Sequence, residues 1–155
     1  MKKIYIFGVI IILLSLLGFY LIENIFTIKP NVTSGNGNLG ILIIFLLAPI
    51  FIASYFFTYK MAREISYNIK KKRIRVFILS LSLMCSIILV FQIVNYINEL
   101  IIALGGTPSN PDSRIYRFGW FNQYTNSMYF NLFTFLLTHI ITFIIGNLSV
   151  IKRKL

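Results

Sequence analysis

Three polar residues lie in one strongly apolar segment, and their spacing would allow their side chains to act at one site. Gln92, Asn95 and Glu99 are separated by steps of three and four residues, so a helix would place them on one face. Glu23, at the end of the first apolar run, extends this polar set to a second segment. Polar side chains within a membrane cost free energy, so such residues usually have a functional or structural role. The pattern fits the lining of a polar site that opens outward, or a seam of interhelical hydrogen bonds.

The single histidine, His139, lies near the middle of the last apolar run. A proton relay at this depth would need acidic neighbours, but Glu23 and Glu99 lie near the ends of their runs. Pro49, in the middle of the second run, leaves the carbonyl of Phe45 without its helical N–H partner. We therefore expect His139 and Pro49 to form a structural pair at the membrane midplane, with His139 donating to that carbonyl.

The last long connector, residues 103–127, concentrates charged and aromatic side chains. The residues that stand out are Asp112, Arg114, Tyr116, Arg117 and Trp120. The two arginines are three residues apart and would share one side of a helical turn. They could pair with the acids at the helix ends, bind a lipid headgroup or an anionic peptide terminus, or belong to an ordinary aromatic belt. Because loops on rigid scaffolds often carry binding residues, we expect the binding site here.

Metal, redox and common hydrolytic chemistry find no support in the sequence. One cysteine, Cys85, and one histidine exclude an internal disulfide, a multi-cysteine zinc site and a two-histidine metal site. The nucleophile-elbow, metalloprotease and phosphate-loop motifs are absent from the sequence. We expect no metal and no cofactor. A lipid-modifying enzyme built on the outer polar residues is a weaker alternative.

The segments that must position these residues are apolar enough to cross a membrane. The chain has 155 residues, of which 57% are hydrophobic and only 12% charged, whereas soluble domains carry about 25% charged residues. Each apolar run is close to the roughly 20 residues that span a bilayer as a helix. We predict an all-α integral membrane protein with a single domain. Its spans lie at about 4–26, 39–59, 75–102 and 128–151, its outer loops at 27–38 and 103–127, and its cytoplasmic loop at 60–74.

The net charge of +11 is distributed unevenly along the chain. Only Lys29, Arg114 and Arg117 fall in the predicted outer loops, and the other twelve basic residues lie at the termini and around the middle connector. By the positive-inside rule, we predict that both termini are cytoplasmic. We expect the membrane to be the plasma membrane. The first run begins like a signal peptide, but its length and the absence of a small-residue cleavage site favour a retained helix.

The densest basic cluster borders the predicted third span. It consists of Lys70, Lys71, Lys72, Arg73 and Arg75. Beside a membrane helix, such a cluster attracts the anionic lipids of the cytoplasmic leaflet, and we expect this contact rather than nucleic-acid binding.

The sequence therefore predicts a small multi-pass protein without catalytic chemistry. We expect it to act as an accessory subunit or an immunity-type protein through its aromatic, charge-balanced outer loop. Its partner would be another membrane protein or a second copy of itself. The alternative is a small oligomeric transporter or channel that uses the face formed by Gln92, Asn95 and Glu99.

Overall fold

The structure, a computed structural model, describes residues 2–33 and 37–151. The basic tail that is predicted to be cytoplasmic, residues 152–154, lies outside the described residues. The helices are α1 (Lys2–Asn24), α2 (Leu39–Asn68), α3 (Lys72–Ala103), α4 (Arg114–Phe118), α5 (Asn126–Tyr129) and α6 (Leu132–Ile151). The described residues contain no strand, so the predicted all-helical class is confirmed.

Four helical segments are long and apolar enough to cross a membrane. They are Ile4–Asn24, Leu39–Asn68, Lys72–Ala103 and Asn126–Val150. The helix α2 extends nine residues beyond the apolar run that predicted it, because a helix can continue into water once it carries Lys60, Arg63 and Glu64. The connector between α2 and α3 is correspondingly short.

The fourth predicted span contains a break in its first turn. Helix α5 ends at Tyr129 and α6 begins at Leu132. Asn131 and Thr134 cap the new helix reciprocally: Thr134 N donates to Asn131 Oδ1 at 2.9 Å, and Asn131 N donates to Thr134 Oγ1 at 3.0 Å. An asparagine followed three residues later by a hydroxyl side chain thus starts α6 inside an apolar stretch.

The four long helices pack in the order α1, α2, α6, α3. Small side chains let α2 approach both of its neighbours. The hydroxyl of Ser54 donates to Ser15 on α1 at 3.1 Å, and a Cβ atom added to Gly146 on α6 would lie 2.7 Å from the Tyr59 carbonyl oxygen. The buried apolar core of the bundle is formed by Phe19, Ile22, Phe51 and Phe135.

Contacts between helices define one end of the bundle. At this end, which we call the basic end, Ser66 donates to the Asn147 carbonyl at 3.4 Å, so that α2 and α6 finish side by side. The guanidinium of Arg75 donates to the carbonyls of Ser66 and Ile69 at 2.8 and 2.7 Å. It therefore satisfies the last carbonyls of α2 and fixes the start of α3 beside them.

Helix α3 occupies the edge of the bundle. It packs against α6 and α5, and none of its residues is buried in the described structure. Its inward side carries Ser82, Cys85 and Ser86, while more than half of its circumference faces away from the rest of the chain.

Candidate functional site

The two connectors at the end opposite the basic end fold into one unit, which we call the cap (residues 27–33 and 104–131). The cap has a small core of its own, formed by Leu104, Ile115, Tyr124 and Met128. Each of these side chains is at most 3% exposed, and the last turns of α3 close the core from below. A connector with a core holds its surface side chains in fixed positions, as a binding surface requires.

Local turn chemistry explains why the polar start of the long connector folds. Gly105 and Gly106 have positive φ angles of 89° and 107°, which favour glycine. The hydroxyl of Ser113 donates to the Gly106 carbonyl at 2.7 Å and accepts from the amide of Ile115 at 3.0 Å. Ser113 therefore closes the turn and caps α4, which presents the two arginines.

Three sets of contacts join the short connector to the long one. The amide of Ile28 donates to the Gln123 carbonyl at 2.9 Å. Asn38 and Asn126 exchange two side-chain hydrogen bonds, at 3.1 and 2.6 Å, and Asn38 also caps α2. The third contact is made by Arg114, whose Nη1 donates to the Val32 carbonyl at 2.7 Å.

Arg114 and Arg117 have different surroundings although they are one turn apart. The Arg114 guanidinium lies 4.3 Å from the centre of the Tyr124 ring and is half-buried, whereas Arg117 is exposed. Both line a cavity of about 290 Å³ together with Asp112, Thr33, Phe118 and Tyr124. The structure thus brings together three of the predicted binding residues, two cationic and one anionic.

Several aromatic rings of the cap are exposed, and one of them, Phe118, lines this cavity. Tyr116, Phe118, Trp120 and Phe121 are between 42% and 72% exposed. The Phe121 ring stacks on Tyr129 with their centres 4.9 Å apart, which fixes its direction. Tyr116 and Trp120, which the sequence predicts for the site, are exposed residues of the cap but do not line this cavity.

Glu23 is placed as a helix cap and not beside the other intramembrane polar residues. Its Oε2 accepts from the amide of Leu132 at 3.2 Å, at the first residue of α6. A carboxylate there satisfies one unpaired N–H and interacts favourably with the positive end of the helix dipole. No sequence pattern indicates this contact, because it joins residues more than a hundred positions apart.

Gln92, Asn95 and Glu99 lie on one side of α3, as their spacing predicts. All three are exposed, and the side that carries them faces away from the other helices. The structure therefore does not bring them together with Glu23, or with the cavity of the cap.

The expected bond between His139 and the carbonyl freed by Pro49 is wrong. His139 is buried on α6, and its Nδ1 lies 2.9 Å from the Phe135 carbonyl oxygen, four residues earlier in its own helix. Pro49 and Phe45 lie on an exposed side of α2. The His139 ring packs against Phe135 and Tyr55, with ring centres 4.1 and 5.0 Å away, and its Nε2 finds no partner among the described residues.

The predicted lipid-contact cluster divides into two groups. Lys70, Lys71, Lys72 and Arg73 are exposed at the basic end, whereas Arg75 is half-buried in its bonds to α2. No group of three potential metal ligands lies close together in the described ranges.

The chain was compared with known proteins. No family model, no curated protein and no solved structure matches it.

Proposed function

We propose that α1, α2, α3 and the segment Asn126–Val150 cross the plasma membrane, with both termini in the cytoplasm. The length and apolar composition of these helices support insertion. The orientation is supported by charge, because the exposed basic cluster 70–73 lies at the basic end. At the other end, the three basic residues of the cap are matched in number by three acids, Asp112 in the cap and Glu23 and Glu99 in the adjoining helices. On this topology the cap faces the outside of the cell.

We propose that the protein acts as an accessory subunit or an immunity-type protein, and that the cap is its recognition surface. The observation that carries this proposal is the cap's own core beside a cavity lined by Arg114, Arg117 and the exposed ring of Phe118. Aromatic and arginine side chains are the residues most enriched at the centres of protein interfaces. A partner that offers an aromatic patch and a carboxylate, such as a peptide terminus, would match this surface.

Arg117 is the residue on which a test of this proposal should act. It lines the cavity but is exposed, so its removal should leave the fold of the cap intact. Lys29 is the matched control, since it is an exposed cation of the same cap that does not line the cavity. Wild type, Arg117→Ala and Lys29→Ala would each be purified from the native cell in mild detergent, and the proteins that accompany them quantified.

We expect Arg117→Ala to reduce the retained partner about tenfold or more, because a charge-assisted hydrogen bond contributes about 1.5–3 kcal/mol. Lys29→Ala should retain the partner at the wild-type level. The same accompanying proteins at equal levels in all three preparations would contradict the proposal.

Transport along the α3 polar face receives less support. This face lies on the outside of the described helices, so a conducting path would need several copies of the chain. The cap, in contrast, is complete within one copy.

A further inference from the structure

The exposed part of α3 carries two different stripes of side chains, in which residues recur at steps of four, three or seven. The first, which we call the amide seam, consists of Phe77, Leu81, Met84, Ile88, Phe91, Asn95, Asn98 and Ile102. The second, the aliphatic stripe, contains Val76, Leu83, Ile87, Val90 and Val94. Lipid tails match the aliphatic stripe, but they offer nothing to the amides of the seam.

The depth of these amides makes their exposure significant. Ile87 is the middle residue of the uncharged run 76–98, which forms most of the third span. At 1.5 Å per residue, Gln92 lies about 8 Å and Asn95 about 12 Å from that level, within the roughly 15 Å half-thickness of the hydrocarbon core. Polar side chains at such depth almost always face protein or water rather than lipid.

The chain itself does not supply a partner for these side chains. Gln92, Asn95 and Asn98 make no hydrogen bond within the described residues, and α6 and α5 contact the opposite side of α3. The apolar members of the seam are likewise between 50% and 76% exposed. The amide seam is therefore a long face with unmet hydrogen-bonding groups near one end.

We propose that the amide seam of α3 is the interface with a second copy of this chain. Two copies inserted with the same orientation are related by a two-fold axis along the membrane normal, so their α3 helices run parallel and in register. Asn95 then faces Asn95 of the second copy at the same depth. A carboxamide both donates and accepts, so each amide finds in its own copy the complement that lipid lacks.

The remaining residues of the seam are compatible with such a pair. The steps of four and three residues give the 3.5-residue repeat with which parallel helices interlock. Leu81, Ile88 and Asn95 occupy the first position of this heptad repeat. A single asparagine at that position fixes the register between two paired helices. Gln92 and Glu99 flank the seam, where they remain near the interface without lying on the axis.

The inference depends on the membrane insertion proposed above, but not on the role of the cap. Its test uses the full chain with Cys85 replaced by serine, and single cysteines introduced at Ile88 in the seam and at Ile87 in the aliphatic stripe. These adjacent positions have the same residue type and similar exposure, yet point about 100° apart on the helix. Native membranes containing each variant would be treated with copper phenanthroline and analysed without reductant.

We expect Ile88→Cys to form a cross-linked product of twice the chain mass and Ile87→Cys to form little. In a parallel pair the seam positions come within the Cα separation that a disulfide needs. Adding Asn95→Leu to Ile88→Cys should weaken self-association about three- to twentyfold, as one intramembrane amide contact contributes that much. The matched addition of Val94→Leu should leave the cross-link unchanged.

Several results would overturn the proposal. These are equal cross-linking from both stripes, no dimer from Ile88→Cys, or a product whose mass requires a different protein. Resistance of each variant to alkaline extraction separates these results from a failure of membrane insertion. Loss of partner retention in Arg117→Ala does not depend on any of them, so the two proposals fail independently.

Discussion

The contacts of Arg114, which join the two connectors of the cap, lead to a quantitative prediction. Truncating Arg114 to alanine removes its hydrogen bond to the Val32 carbonyl and its contact with the Tyr124 ring. The hydrogen bond contributes about 0.5–1.5 kcal/mol and the cation–π contact about 0.5–1 kcal/mol at a site open to water. We therefore expect the free energy of local opening of the short connector, residues 27–38, to fall by about 1–2.5 kcal/mol. Arg117→Ala, which truncates an exposed neighbour, should change it by less than about 0.5 kcal/mol.

The assay is limited proteolysis of the intact protein in mild detergent, with the cleavage rate measured between residues 27 and 38. Where opening is faster than cleavage, this rate follows the population of the open form. Arg114→Ala should be cut about five- to sixtyfold faster than wild type, and Arg117→Ala at nearly the wild-type rate. Equal rates for the two variants would refute the reasoning, because they would show that the Val32 and Tyr124 contacts do not hold the connector.

Two further predictions concern the packing of α6. Gly146→Ala should destabilise the bundle by about 1–3 kcal/mol in denaturant titrations, because its Cβ would lie 2.7 Å from the Tyr59 carbonyl oxygen. Gly37→Ala, where an added Cβ meets nothing within 4 Å, should be neutral or slightly stabilising. His139→Ala should lower stability by about 1–3 kcal/mol. His139→Phe should lower it less, because a phenyl ring keeps contacts with Phe135 and Tyr55 and gives up only the bond between Nδ1 and the Phe135 carbonyl. Thermal unfolding in detergent checks these variants, and an unchanged melting temperature for His139→Ala would contradict the packing role.

Hydropathy was sufficient to predict the four long helices, because the cost of exposing backbone groups to lipid leaves helix as the conformation for each run. It could not predict where α2 ends. The residues after Tyr59 are charged but remain good helix formers, and Arg75 satisfies the carbonyls at the true end. Hydropathy shows where the apolar residues end. The helix itself ends where its last carbonyls accept hydrogen bonds from groups outside the helix.

The candidate site was predictable in part. The density of charged and aromatic residues in the connector 103–127 is the basis on which a site is predicted there, and the structure places Arg114 and Arg117, three residues apart, at one cavity. The cap's core and the Asn38–Asn126 pair could not be foreseen, since they depend on contacts between distant parts of the chain. The partner of His139 was missed because periodicity does not state how α2 is rotated relative to α6.

The central position of α6 has a consequence for the order in which the protein is made. In the finished bundle α6 lies between α2 and α3, and α3 contacts neither α1 nor α2 to a comparable extent. Synthesis proceeds from the N-terminus, so α1 and α2 can pair early, while α3 has no long helix of its own chain to pack against until Leu132 and the residues after it are made. A chain arrested before Leu132 would hold one helix pair and one isolated span, and the last helix to emerge joins them.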